Sequence, residues 1–132
     1  SEKTDKDVVM IAGGVGVTPF KSMSAAATEF GKKSWVFYST KKKEDLVFID
    51  FFEKLAFKNK DNFFFEYTLT QPPERWQGRT GRFTLDEINS TVGGLENKLF
   101  FICGPKAMAD DFSAQLLAAG VAEENIKAEG WG

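Results

Sequence analysis

Histidine is missing from all 132 residues, which takes away the commonest general base and the commonest metal ligand. Hydrolysis through a nucleophile–histidine pair is argued against at once. A single cysteine, Cys103, closes no disulfide within the chain and has no second thiol with which to build a metal site, so a reducing, cytoplasmic setting is expected. No apolar run of about eighteen residues is present to cross a bilayer as a helix, and no charged leader precedes a cleavable apolar stretch. The four prolines and twelve glycines fall between apolar runs rather than in tracts, which leaves no linker, repeat or low-complexity segment. Excess charge is missing too: at a formal −2 the chain has no global pull on a phosphate backbone, so nucleic acid is not an expected partner and any anion site must be local.

What is present is enough apolar sequence, 42%, for one core, and the chain reads as a single domain over 1–132. Val8 to Ala12 is a short apolar run cut by Gly13 and Gly14, the pattern of a strand buried on both faces. From Pro19 the apolar positions Phe20, Met23, Ala27 and Phe30 recur at helical spacing, with Thr18 as the expected cap and Gly31 as the stop. Ser34–Thr40 is a second strand, followed by a charged loop from Lys41 to Asp45. Leu46 to Phe57 reads as an amphipathic helix with Phe48, Phe51, Phe52 and Leu55 along one side, and Phe63–Leu69 as a third strand. Thr70 to Arg82, with two prolines and two glycines, is a long surface loop. Thr84 and Glu87 have the spacing of a capping box at the start of a short helix. A fourth strand spans Lys98 to Cys103. A helix from Lys106 to Ala119 carries Met108, Phe112, Leu116 and Ala119 on one face, and Ile126 to Trp131 is a fifth strand.

Alternating strands and helices predict an α/β fold, a three-layer sandwich around a five-stranded parallel sheet. A 3-2-1-4-5 strand order would bring the ends of strands one and four together at the switch point, where ligands of open α/β sheets bind.

Three segments carry chemistry. Gly13-Gly14-Val15-Gly16-Val17-Thr18-Pro19 joins a buried strand to an amphipathic helix, where glycines let a ligand approach the backbone and the helix dipole favours a phosphate. Pro19 stands where a GxGxxG fingerprint has its third glycine, so that motif does not apply and a plain strand-to-helix turn remains open on this segment alone. Cys103-Gly104-Pro105 is a second glycine turn at a strand end, and Glu129-Gly130-Trp131-Gly132 closes the last strand with a carboxylate and an aromatic ring. Cys103, without a base to activate it, is no nucleophile.

GGVGVTP after strand one, the WQGRTGRFT loop after strand three, CGP after strand four and the terminal E-x-aromatic, in that order, resemble the pyridine-nucleotide domain of the ferredoxin–NADP⁺ reductase family over essentially the whole chain. The resemblance implies an oxidoreductase domain that binds NADP or NAD and presents nicotinamide for hydride transfer to or from a flavin. It implies that Gly13, Gly14, Val15 and Gly16 surround the pyrophosphate, with Thr18 and Pro19 near the nicotinamide. Ser39, Thr40, Lys41, Thr70 and Met108 would line the nucleotide. Cys103, Gly104 and Pro105 would sit beside the hydride-bearing ring, with Glu129 near the flavin and Trp131 stacked on it. Thr18, Cys103, Glu129 and Trp131 are thus the expected catalytic set, and no metal is expected.

The family's flavin-binding β-barrel has no counterpart in these residues, so FAD or FMN is expected from a missing domain or a partner, and a protein such as ferredoxin is the expected electron carrier. The end of strand two, Ser39-Thr40-Lys41-Lys42-Lys43, has no acidic residue for ribose hydroxyls and leans to NADP, but Asp45 follows and Val47-Phe48-Ile49 stand where NADP-binding members often carry arginine; the choice stays open. The competing reading from another class is a catalytically silent regulatory or interaction module that keeps the fold. A flavodoxin-like or response-regulator domain would share the α/β architecture but usually brings acidic or phosphate-loop chemistry elsewhere.

Overall fold

The computed structural model describes residues 5–132. Strands β1 (Asp7–Gly13), β2 (Ser34–Thr40), β3 (Phe63–Leu69), β4 (Lys98–Pro105) and β5 (Ile126–Trp131) form one sheet in the order β3-β2-β1-β4-β5, with every pair parallel. Helices α1 (Thr18–Glu29), α2 (Ile49–Lys58), α3 (Leu85–Val92) and α4 (Lys106–Ala118) connect them. Because side chains of a strand alternate between faces, β1 feeds two cores at once. Val9 and Ile11 join Trp35, Phe37, Phe100, Ile102, Phe112 and Leu116 on the α3–α4 side. Val8, Met10 and Ala12 join Phe20, Tyr38, Phe52 and Phe63 on the α1–α2 side. A continuous apolar run is what a strand covered on both faces requires.

The expected fold class and strand order hold, and five local expectations are corrected. Thr18 is not a cap: the chain passes through a 3-10 turn, Gly14–Val17, directly into α1, so the capping position falls to Val17 in helical geometry and no side chain caps this end. Phe30 ends α1 and is 59% exposed, because the buried stripe runs through Phe20, Ser24 and Ala27 instead. The second helix starts at Ile49 rather than Leu46, since Phe48 adopts a left-handed conformation (φ 63°) that breaks any helix before it. Ala119 lies beyond the last turn of α4 and is exposed. The fourth strand continues past Cys103, because Gly104 and Pro105 stay in register with Gly130 and Trp131.

Two tethers shape the sheet's C-terminal edge. The Tyr38 hydroxyl, fully buried, donates to the Asp45 carbonyl (3.3 Å) and accepts from the Val47 amide (3.2 Å), tying the bend after β2 to the sheet. The loop after β3 folds back onto its own strand: the Gly81 amide donates to the Leu69 carbonyl (3.0 Å) and the Thr68 hydroxyl to the Gly81 carbonyl (2.7 Å). A single bridge, Leu69 with Thr80, is its one piece of strand pairing. The capping box forms as expected, the Thr84 hydroxyl accepting from the Glu87 amide and the Glu87 carboxylate from the Thr84 amide.

Candidate functional site

The two glycine turns touch. A side chain on Gly16 would collide with the carbonyl group of Cys103, whose carbon lies 2.5 Å from where a Cβ would stand. On Gly104 it would meet the Met108 methyl at 2.8 Å and the Gly13 amide nitrogen at 3.2 Å. Register explains the meeting: Ala12 is opposite Cys103, so β1 and β4 end side by side and their turns share one space. Gly14 differs from its neighbours. Its φ is +56°, which favours glycine, and nothing stands within 4 Å of a Cβ built on it, so the backbone here borders open space.

That space is the head of a groove of about 760 Å³ along the C-terminal edge of the sheet. Gly13 and Gly14 form its floor with Ile11 and Ala12, and the end of β2 gives Ser39, Thr40, Lys41 and Asp45. The loop after β3 adds Thr70, Arg82, Phe83 and Thr84. The far wall is α4 with the turn before it: Pro105, Ala107, Met108, Asp111, Phe112 and Gln115. The lining is apolar below and carries two cations and two carboxylates at the sides, a composition suited to a mixed aromatic and polar ligand.

Of the sequence-predicted residues, Gly13, Gly14, Ser39, Thr40, Lys41, Thr70, Pro105 and Met108 line this groove. Val15 is 72% exposed just outside it, Gly16 is buried between the turns, and Thr18 and Pro19 are exposed on the first turn of α1. Gly104 is buried behind Met108. Cys103, Glu129 and Trp131 form a separate group at the ends of β4 and β5, outside the groove lining. Cys103 pairs with Glu129 and Pro105 with Trp131, and the indole is 41% exposed. The Cys103 side chain packs into the α1–α2 core, and burial, then the charge of Glu129, pushes its thiol pKa up. No cluster of metal-ligating side chains exists among the described residues.

Arg82, Asp111 and Gln115 were missed. Arg82 lies in a loop from which sequence reading singles out no charge. Met108, Asp111, Phe112 and Gln115 repeat at i, i+3, i+4 and i+7, so they share one stripe of α4. That stripe reads as core when only its apolar members are counted. The Gln115 amide donates to Asp111 (2.9 Å) along it.

The model of a family described as oxidoreductase NAD-binding domain matches residues 10–114. The chain is 31% identical to an NADH-cytochrome b5 reductase 1 of Mycosarcoma maydis, over 87% of this chain and 37% of that protein. It is 33% identical to a nitrate reductase [NADPH] of Emericella nidulans, over 95% of this chain and 15% of the relative. Among solved structures, the CS-b5R domains of human Ncb5or in the NAD⁺ form superimpose with a TM-score of 0.82 at 25% identity, covering 96% of this chain and 37% of that one. The chain thus spans little more than a third of the length of these relatives, or less.

Proposed function

This chain belongs to the oxidoreductase NAD-binding domain family, and from that premise we propose that it seats NADPH or NADH in the groove and holds the nicotinamide for hydride exchange with FAD or FMN carried by another domain or chain. The observation that carries the reading is the contact of the two glycine turns at the groove's head, with Gly14 open to it. A pyrophosphate needs bare backbone and amide donors. The Gly14–Val17 turn offers the amides that precede the first internal hydrogen bonds, backed by the dipole of α1, whereas Thr18 gives its own amide to the Val15 carbonyl and Pro19 has none. Floor and walls fit the rest of a dinucleotide: Ser39, Thr40 and Thr70 present hydroxyls, while Met108, Phe83 and Phe112 present apolar surface.

The nicotinamide supplies the hydride chemistry when bound, and the protein's part is orientation. Thr18 and Pro19 border the pyrophosphate turn on the ring side. Gly104 and Pro105 leave a flat approach to the ends of β4 and β5, and Trp131, exposed there, provides an aromatic surface for a flavin. Glu129 sets a negative charge beside Cys103, and that buried thiol contributes shape rather than nucleophilicity. No proton has to be moved by a histidine, which suits a chain without one. Electrons would pass onward to a protein carrier such as ferredoxin, in the reducing cytoplasm that a lone thiol suits. No helix among the described residues is long and apolar enough to cross a membrane.

The test is calorimetric titration of the chain with NADPH and NADH. Binding of either is expected, and Gly14→Val, which fills the open space, should abolish it. Binding of neither by the unaltered chain would overturn the proposal and leave the interaction-module reading in its place.

A further inference from the structure

Strand β3 is one edge of the sheet, and its backbone shows how much of that edge is open. The Ser34 amide donates to the Asn62 carbonyl (2.8 Å) and the Thr70 amide to the Thr40 carbonyl (3.0 Å). Alternate residues of a parallel pair turn to the same neighbour, so the even-numbered residues of β3 face β2, and Phe63, Phe65, Tyr67 and Leu69 point their amides and carbonyls outwards. Both ends of this row are closed from within the chain. The Phe63 amide donates to the Asn59 carbonyl (2.8 Å). At the other end the Leu69 amide donates to the Arg79 carbonyl (3.3 Å) and its carbonyl accepts from the Gly81 amide (3.0 Å), where the returning loop lies outside β3 and bridges it through Thr80. Between these ends the Phe63 carbonyl and both backbone groups of Phe65 and Tyr67 have no partner among the described residues.

The side chains along the open stretch are aromatic. On one face of the sheet Phe65 stacks on Phe52 with ring centres 4.8 Å apart and Tyr67 on Phe65 at 5.5 Å; on the other, Phe64 stacks on Trp35 at 5.6 Å. Phe64, Phe65 and Tyr67 are only half-buried. A cavity of about 630 Å³ runs along both sides of the strand here, with Lys33 and Lys60 at its N-terminal end and Glu66 beyond Phe65. An aromatic edge with unpaired backbone invites another strand.

We propose that this edge pairs antiparallel with the same edge of a second copy of the chain, about a two-fold axis through Phe65. The free groups fit that axis. Phe65 would exchange both its bonds with Phe65 of the second copy, and each Tyr67 amide would reach the Phe63 carbonyl across the axis, so pairing ends where the Asn59 bond and the returning loop begin. The charges fit it too. Reversal sets Glu66 of one copy opposite Phe64 of the other, on the side of the axis where that copy's Lys33 and Lys60 lie, and Asp61 is outside the cavity lining. Because β3 and β5 are opposite edges, the pair leaves the ends of β4 and β5, where Trp131 is exposed, open to a flavin-bearing partner. It forms whether or not a dinucleotide is bound.

So short a shared stretch makes a small, transient interface, under about 1,200 Å², and sedimentation velocity from about 10 µM to about 1 mM reads it. Monomer should give way to dimer across that range, and the Phe65 and Tyr67 amides should exchange hydrogen several-fold more slowly in the concentrated sample. Glu66→Lys and the double variant Lys33→Glu with Lys60→Glu should each weaken association by about tenfold, as the two symmetric contacts turn repulsive. Mixed in equal amounts, the two variants should associate as the parent does, each meeting the opposite charge. All three positions are exposed, and unchanged melting curves would show that the variants fold. A monomer at every concentration would overturn the proposal, as would association that Glu66→Lys leaves intact or charge-swapped chains that do not recombine. Should a variant unfold, exchange in the unaltered chain still decides: Phe65 and Tyr67 amides indifferent to concentration would rule the pairing out.

Discussion

Replacing Gly16 by alanine tests the central geometry with a single methyl group. The new Cβ would stand 2.5 Å from the carbonyl carbon of Cys103, short of the 3.4 Å at which ordinary contact begins. The obstacle is backbone, not a side chain that can rotate away. It belongs to β4, paired with β1 through Ala12 and with β5 through Glu129, so relief means moving a doubly paired strand or the Gly14–Val17 turn. Overpacking of this kind costs about 1–3 kcal/mol, and taking about 2 kcal/mol as the centre leaves the smaller unfolded-state gain from losing a glycine well outweighed. With an unfolding entropy of about 2.1 cal/mol/K per residue over 132 residues, the melting temperature should fall by about 7 °C. The same shift should weaken NADPH by about tenfold, because the two turns that frame the pyrophosphate no longer meet. Gly14→Ala is the control. It meets no atom within 4 Å and carries only the strain of a left-handed alanine, about 1 kcal/mol or 4 °C. Calorimetric melting and titration of both variants read these effects. A Gly16→Ala protein that melts within about 2 °C of the parent would refute the contact between the turns.

Three further outcomes follow from named contacts. Thr84→Ala removes the side chain that accepts from the Glu87 amide and should lower stability by about 1 kcal/mol in urea denaturation. Hydrogen bonding from Arg79 first, then from the Thr84 amide, holds the Glu87 carboxyl below its usual 4.5. A depressed folded-state value means that its contribution is present above pH 4.5 and is lost as pH falls through the folded value, so the parent should lose stability on acidification more steeply than Glu87→Gln. Parallel slopes would argue against the pairing. The Cys103 thiol, raised by burial and by Glu129, should react slowly with iodoacetamide at pH 8, faster in Glu129→Gln and fastest in urea; equal rates in native and unfolded chain would contradict its burial.

Much of the architecture was legible because period decides it. Val8 to Ala12 and Ser34 to Thr40 are apolar runs that only a two-sided sheet can bury, and once the strands alternate with helices the order of the sheet is narrowly constrained. The beginnings of helices were less legible, because they depend on single backbone torsions. Nothing in Phe48 announces a left-handed residue, and the entry into α1 through a 3-10 turn gives Thr18 no capping geometry. At the site, glycines were visible as glycines, but their reasons were not. Gly14 borders open space, whereas Gly16 exists for contact with β4, which only the β1–β4 register could show. Arg82 and Asp111 escaped notice because their importance is positional, set by where a folded-back loop and one helical stripe face each other.

The hydrogen bonds of the Tyr38 phenol bear on how tightly a ligand can be held. They fasten the bend that carries Asp45 and Val47 through bonds within the chain itself, with the ring sealed beneath it. Ordering a residue on association costs about 1–2 kcal/mol, and on this wall that loss is already taken when the chain folds. The wall behaves as a fixed template rather than a closing jaw. Tyr38→Phe, at a position outside the groove lining, should therefore slacken binding by loosening the bend that carries Asp45 without removing any groove-lining side chain.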